Sequence, residues 1–146
     1  MNKLINYQEK IFIAGARGMA GSAIKRNFLA AGYGLKEKGG LLLTPTRDEL
    51  DLTNKVRVEK WFRFNKPSIV IIAAAKVGGI LANSTQTADF LLENIKIQTN
   101  LIESAWKNGT KRLLFLGSSC IYPKFSKQPI KEEYLLTNTL EETNQW

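Results

Sequence analysis

The sequence predicts an α/β protein in which helices cover both faces of a doubly wound parallel sheet. Short apolar runs alternate along the chain with segments of helical periodicity, and each run is continuously apolar. Such runs are typical of strands covered on both faces, and the alternation indicates parallel pairing through crossover connections. We therefore expect a Rossmann-type sheet with the strand order 3-2-1-4, truncated after the fourth strand.

The first half of the chain supplies two strands and two helices. A strand is expected at 10–15, and the helix that follows it ends at Gly32, because glycine is a common helix stop. A second strand is expected at 40–44. A short helix follows Thr53, which we take as its cap, and precedes the third strand.

The second half supplies the remaining strands, at 68–75 and 111–117, and the longest helix, at 87–107. Two apolar stripes run along this helix, and we expect one to pack on the sheet and the other to meet a partner. A helix buried on both sides is the alternative. One stripe comprises Ala88, Leu91, Leu92, Ile95, Ile102 and Ala105, and the other comprises Phe90, Ile97 and Leu101.

Length and charge limit the number of domains and the kinds of ligand that suit this chain. The 146 residues suit one domain, and 21 basic against 13 acidic side chains give a formal charge of +8. That charge favours phosphates and nucleotides as ligands. The cations are scattered, so a solvated surface is favoured over a nucleic-acid groove, and we expect no nucleic-acid partner.

The single cysteine, Cys120, excludes an internal disulfide and fits a reducing compartment. The longest apolar run, at 69–75, is too short to span a bilayer, and no signal-peptide pattern opens the sequence. We expect a cytoplasmic protein without membrane contact, and no metal site.

The first strand runs directly into GARGMAG, in which three glycines are spaced by two residues. Gly15 permits a tight turn, Gly18 lets the backbone approach a pyrophosphate, and Gly21 allows the helix to pack closely on the strand. The helix N-terminus supplies positive dipole for the anion. Because the motif lies between a strand and a helix, it predicts dinucleotide binding; a purely structural turn is the alternative.

The second strand ends close to TPTRDELDL, where a dinucleotide-binding protein places an acid for a ribose hydroxyl or an arginine for a 2′-phosphate. Arg47 in this segment and Arg17 in the glycine turn favour NADP as the cofactor. The alternative is that Arg47 pairs with Asp48 or Glu49 on the surface.

Four segments together resemble the GDP-L-fucose synthases, which are extended short-chain dehydrogenases of the NAD-dependent epimerase/dehydratase group. They are IAGARGMAGSAI, TRDELDL, AAAKVGGI and LFLGSSCIYPK. The resemblance implies that NADPH reduces a 4-keto GDP-sugar after epimerisation at the two carbons beside the ketone. It also implies that the long helix forms a homodimer, through Phe90, Ile97 and Leu101.

Ser118 matches the family's catalytic serine, which hydrogen-bonds the sugar carbonyl, and Cys120 matches the thiol that moves a proton during epimerisation. A thiol of lowered pKa suits proton removal beside a ketone. Lys76 is expected to face a phosphate or the sugar. The cofactor-binding positions implied are Gly15, Ala16, Arg17, Gly18, Met19, Gly21, Arg47, Asp51, Leu52, Ala73, Ala74, Ala75 and Lys76.

Two features of the family are not found in these 146 residues, a catalytic YxxxK pair and a histidine. The segment LEETNQW resembles the stretch that precedes the pair. We therefore expect a partial NADP-binding domain at 1–124 and the start of the substrate region at 125–146, without activity of its own. A non-catalytic dinucleotide-binding or regulatory fragment and another extended nucleotide-sugar epimerase or dehydratase are the alternatives.

Overall fold

The computed structural model describes residues 5–143. Its strands are β1 (Lys10–Ala14), β2 (Leu41–Leu43), β3 (Ile69–Ile72) and β4 (Arg112–Phe115). Its α-helices are α1 (Met19–Ala30), α2 (Lys55–Asn65), α3 (Ile80–Thr85) and α4 (Thr87–Lys107). Single 3-10 turns lie at Lys36–Lys38, Ser119–Ile121 and Glu132–Tyr134. The predicted strands and the three predicted helices are thus all present, and α4 has the predicted bounds.

The described chain divides into two compact units. The first comprises residues 5–75 and 93–116, and it holds the whole sheet, α1, α2 and most of α4. The second comprises residues 76–92 and 117–143. The predicted segment 125–146 falls in the second unit as far as residue 143, and its last three residues lie outside the described residues.

The sheet is parallel throughout, but its strand order is β2-β1-β3-β4. The predicted order, in which the third strand lay beyond the second, is therefore wrong. β3 instead pairs along its whole length with β1, from Ile11 opposite Ile69 to Ala14 opposite Ile72. Burial explains the arrangement, because the fully apolar IVII run of β3 is buried at every position, whereas the shorter β2 is only partly covered.

Successive residues of β1 and β3 point to opposite faces of the sheet, and each face has its own core. On one face, Phe12 and Val70 pack with Val58 and Phe62 of α2 and with Leu101 of α4. The other face is covered by α1: Ile13 and Ile71 pack there with the partly buried Ile24 and Phe28. The predicted doubly wound architecture is confirmed.

Helix α4 packs on the sheet through the stripe that was predicted to meet a partner. Ile97 and Leu101, predicted to face a partner, are 7% and 0% exposed and belong to the core. Ile95 and Ile102 of the larger stripe are 43% and 42% exposed. The larger number of apolar residues therefore did not identify the buried face, and Ala105 is the one member of that stripe in the core.

The helix ends follow local sequence. α1 ends at Ala30, and Gly32 beyond it adopts a left-handed φ of 82°, as predicted for a helix stop. The cap of α2 is Asn54, whose side-chain oxygen accepts a hydrogen bond from the N–H of Arg57 at 3.1 Å. The predicted cap, Thr53, is instead bound to Asp51. Within residues 5–143, no helix combines the length and apolarity needed to cross a membrane.

Candidate dinucleotide-binding site

The strand order creates a crevice at the carboxyl ends of β1 and β3. The chain leaves β1 towards β2 on one side and leaves β3 towards β4 on the other, so the connections diverge between these two central strands. Ligands of open parallel sheets bind at such a switch point. The residues that meet there are Gly15 and Ala16 after β1 and Ala73 and Ala74 after β3.

Gly15 and Gly21 are required by the fold itself. Gly15 has a φ of 78°, and a Cβ at this position would lie 2.5 Å from the carbonyl oxygen of Ala73. A Cβ on Gly21 would overlap the carbonyl of Gly15, so its absence lets α1 pack directly against the turn. Both glycines therefore bring the backbone of α1 and β3 close to the end of β1.

Gly18 differs from its two neighbours. Its φ is −72°, which any residue adopts, and an added Cβ would make only an ordinary contact of 3.4 Å with the oxygen of Gly15. The fold does not require glycine at this position. Gly18 is the N-cap of α1, where no side chain caps the helix and no acidic residue lies in the first turn. The positive end of the helix is thus available to an anion.

The loop after β2 carries Arg47 in a turn fixed by its neighbours. The N–H of Thr46 donates to Glu49 Oε2 at 2.7 Å, and the N–H of Glu49 donates to Thr46 Oγ1 at 3.3 Å. This is the reciprocal pairing of a T-x-x-E capping box, here closing a turn. The bond from the Thr46 backbone is the main reason that the pKa of Glu49 is lowered.

Arg47 makes an ion pair with a residue that the sequence did not suggest. Its Nη2 lies 3.5 Å from Glu93 Oε1 in α4, rather than beside Asp48 or Glu49. The Arg47 side chain is 81% exposed, so this pair contributes at most about 1 kcal/mol. A phosphate can therefore engage the guanidinium at little cost.

Asp51 and Leu52 lie near the end of the same loop, shortly before α2. Asp51 Oδ1 accepts hydrogen bonds from the hydroxyl of Thr53 at 2.7 Å and from its N–H at 3.0 Å. Both bonds lower the pKa of Asp51, and the bond from the Thr53 hydroxyl has the larger effect. Its carboxylate is thus ionised at neutral pH and fixed to the local turn, while Leu52 lines the cavity.

Seven of the predicted cofactor-binding residues lie around one cavity of about 120 Å³. Four belong to the glycine turn, two to the loop after β2 and one to the segment after β3. Four further lining residues were not predicted, although the TRDE pattern could have identified Thr46. The predicted set is Gly15, Ala16, Arg17, Gly18, Arg47, Leu52 and Ala74, and the additional residues are Phe12, Pro45, Thr46 and Leu50.

Other predicted residues lie outside this lining. Met19 is 92% exposed at the start of α1, and Asp51 and Ala73 adjoin lining residues. Ala75 ends its segment of the first unit, whereas Lys76 belongs to the second unit. There the Lys76 ammonium lies 5.2 Å from the centre of the Phe90 ring.

The two predicted catalytic residues lie together in the second unit, and both are exposed. Ser118 is the N-cap of the 3-10 turn Ser119–Ile121, and its Oγ accepts a hydrogen bond from the N–H of Cys120 at 3.1 Å. The hydroxyl proton is not used in that bond and can be donated elsewhere. No group of metal-binding side chains occurs within the described part of the chain.

The parallel sheet and the crevice beside the glycine turn place this chain in a class of proteins. These are the α/β proteins whose dinucleotide-binding crevice lies at the carboxyl ends of the strands. Within it, residues 11–146 match the model of the NAD dependent epimerase/dehydratase family, and the chain belongs to that family.

Two curated relatives and one solved structure illustrate the similarity. The chain is 56% identical over 138 residues to GDP-L-fucose synthase 1 of Arabidopsis thaliana, covering 94% of this chain and 41% of the relative. It is 48% identical over 139 residues to GDP-L-fucose synthase of Escherichia coli strain K12, with coverages of 94% and 41%. A Campylobacter jejuni GDP-mannoheptose C4 reductase with NADP bound superposes with a TM-score of 0.83 at 38% identity, covering 95% of this chain and 42% of that one. The chain thus spans about two fifths of the length of these relatives.

Proposed function

We propose that this chain is the NADP(H)-binding part of a nucleotide-sugar epimerase-reductase of the GDP-L-fucose synthase type. The observation that carries the proposal is the crevice itself. A glycine turn at the uncapped N-terminus of α1 and two arginines, Arg17 and Arg47, line the same cavity. The similarity to GDP-L-fucose synthases and to an NADP-bound reductase supports the same assignment.

The residues present fit each part of the dinucleotide. The amides that open α1 would hold the pyrophosphate, with Gly18 leaving room for its oxygens. Arg17 and Arg47 would hold the 2′-phosphate through charge-assisted hydrogen bonds. Leu52 and Asp51 would lie beside the adenine, and bound NADPH would supply hydride for reduction of a keto group.

Ser118 and Cys120 are the proposed catalytic residues for a 4-keto GDP-sugar. Because Ser118 Oγ already accepts from the Cys120 N–H, its hydroxyl is oriented with its proton free to donate to a sugar carbonyl. That bond would stabilise negative charge on the carbonyl oxygen when a proton leaves the neighbouring carbon. The exposed side chain of Cys120 would accept and return that proton.

We further propose that the protein forms a homodimer in the cytoplasm. Ile95, Ile102 and Trp106 lie along one exposed side of α4, and they are 43%, 42% and 77% exposed. Apolar side chains aligned at helical spacing favour a helix–helix contact with a second copy. The free Cys120 suits a reducing compartment.

The proposal is tested by titrating the chain with NADPH and NADH and following the nicotinamide fluorescence. NADPH should bind more tightly, and Arg47→Ala should lose about 10- to 100-fold in NADPH affinity with little change for NADH. Arg63→Ala is the matched control, because Arg63 is 73% exposed, pairs with Glu59 and lies outside the crevice. Equal affinity of the unaltered chain for the two dinucleotides would contradict the NADP assignment.

A further inference from the structure

A buried polar side chain of α4 makes a hydrogen bond to a residue that lines the crevice. Asn100 is 6% exposed, and its Nδ2 donates a hydrogen bond to the carbonyl oxygen of Leu52 at 2.9 Å. The two residues are 48 positions apart in the sequence, so the tertiary fold alone brings them together. Leu52 in turn lines the cavity. Asn100 itself is not among the lining residues.

The contact matters because the loop around Leu52 has no strand or helix to fix it. Residues 50–54 form a turn between β2 and α2. Asp51 and Thr53, which flank Leu52 in the sequence, fix the turn locally through their two hydrogen bonds. The bond from Asn100 is the one that ties the Leu52 carbonyl to a helix of the core. Leu52 is partly buried, and a partly buried carbonyl that loses its partner loses a favourable hydrogen bond, so removing the amide favours movement of the loop.

We propose that Asn100 is a positioning residue for the adenine side of the crevice, an inference that rests on the function proposed above. By holding Leu52 in place before the ligand arrives, Asn100 removes the cost of ordering the loop on binding. Its effect is independent of the 2′-phosphate, which Arg17 and Arg47 address. Loss of Asn100 should therefore weaken NADPH and NADH binding by the same factor.

The test compares Asn100→Ala with Ser104→Ala in the 146-residue chain. Ser104 is a suitable control because it is 1% exposed, lies one turn further along α4 and is not a lining residue of the cavity. We expect Asn100→Ala to weaken both dinucleotides about tenfold, leaving their affinity ratio unchanged. Ser104→Ala should leave both affinities within about twofold of the unaltered chain.

A purely structural role would lower the thermal midpoint without changing the affinity of the folded protein, so both quantities are measured. If Asn100→Ala does not fold, Asn100→Ser provides the same test, since its shorter side chain also removes the amide donor. Unchanged affinity of a folded Asn100 variant, or a loss confined to NADPH, would overturn the inference alone. Failure of the unaltered chain to bind either dinucleotide would overturn the proposed function with it.

Discussion

At the scale of single residues, the three glycines of the turn have separable roles. Position 15 requires glycine because its φ is left-handed and a Cβ there would clash with the carbonyl of Ala73. Position 21 requires glycine because a Cβ there would clash with the carbonyl of Gly15. Gly18 meets neither constraint. Its missing side chain is explained by the proposed ligand, whose pyrophosphate needs the space at the start of α1.

Gly18→Ala should therefore separate binding from folding. We expect its free energy of unfolding to stay within about 0.5 kcal/mol of the unaltered chain, while NADPH affinity falls at least about tenfold. Gly15→Ala should cost about 1–3 kcal/mol from backbone strain, with the overlap at Ala73 in addition. Urea denaturation and NADPH titration measure the two effects. If Gly18→Ala keeps full NADPH affinity, the proposed position of the pyrophosphate beside Gly18 is wrong.

At the scale of elements, α2 and α4 are joined across the sheet face by a small ionic network. Glu103 Oε2 lies 2.9 Å from Lys55 Nζ, and Glu103 Oε1 lies 2.6 Å from Lys107 Nζ. Lys107 also approaches Glu59 Oε1 of α2 at 3.8 Å. The hydrogen bonds from Lys107 and then Lys55 lower the pKa of Glu103 from 4.5 to about 2.

This shift predicts an acid-sensitive contribution to stability. The folded-state pKa of Glu103 lies below its ordinary value of 4.5, so the contribution is complete above 4.5 and is lost as the pH falls towards about 2. Glu103→Gln should therefore reduce the fall in thermal midpoint on acidification. Added salt should shrink the difference, because the network is partly exposed. Parallel acid profiles of Glu103→Gln and the unaltered chain would show that the network contributes nothing.

The exposed side of α4 predicts the oligomeric state. If Ile95, Ile102 and Trp106 form the contact with a second copy, Ile102→Glu should convert a micromolar dimer to a monomer without unfolding it. Lys96→Glu, at another exposed position of the same helix, is the control and should remain dimeric. Sedimentation in the analytical ultracentrifuge distinguishes the two states. A monomeric unaltered chain at that concentration would argue against the proposed dimer.

At the scale of the whole molecule, the features predictable from sequence were those encoded locally. The glycine turn was recognised because its three glycines are each separated by two residues, and α4 because its periodicity extends over 21 residues. The strand order was wrong because Leu41–Leu43 is as apolar as Ile69–Ile72, and composition alone does not say which strand pairs with β1.

The grouping of the candidate site could be predicted to the same extent. The residues predicted to bind the cofactor at 15–18, together with Arg47 and Leu52, lie around one cavity, because the carboxyl ends of parallel strands meet at one edge of the sheet. Neither the ion pair between Arg47 and Glu93 nor the bond from Asn100 to Leu52 has a signal in the sequence. Both join residues from distant segments, and a periodic pattern reports only on neighbours within one element.

The most direct test of the central claim is to map NADPH binding on the chain by amide chemical shifts in nuclear magnetic resonance. We expect the largest changes in chemical shift at the amides of four residues that line the crevice, Gly15, Gly18, Thr46 and Leu52. Amides of a second surface depression, lined by Lys60, Trp61 and Phe64 of α2, should not move. Changes centred on that depression, with the glycine turn unaffected, would contradict the account.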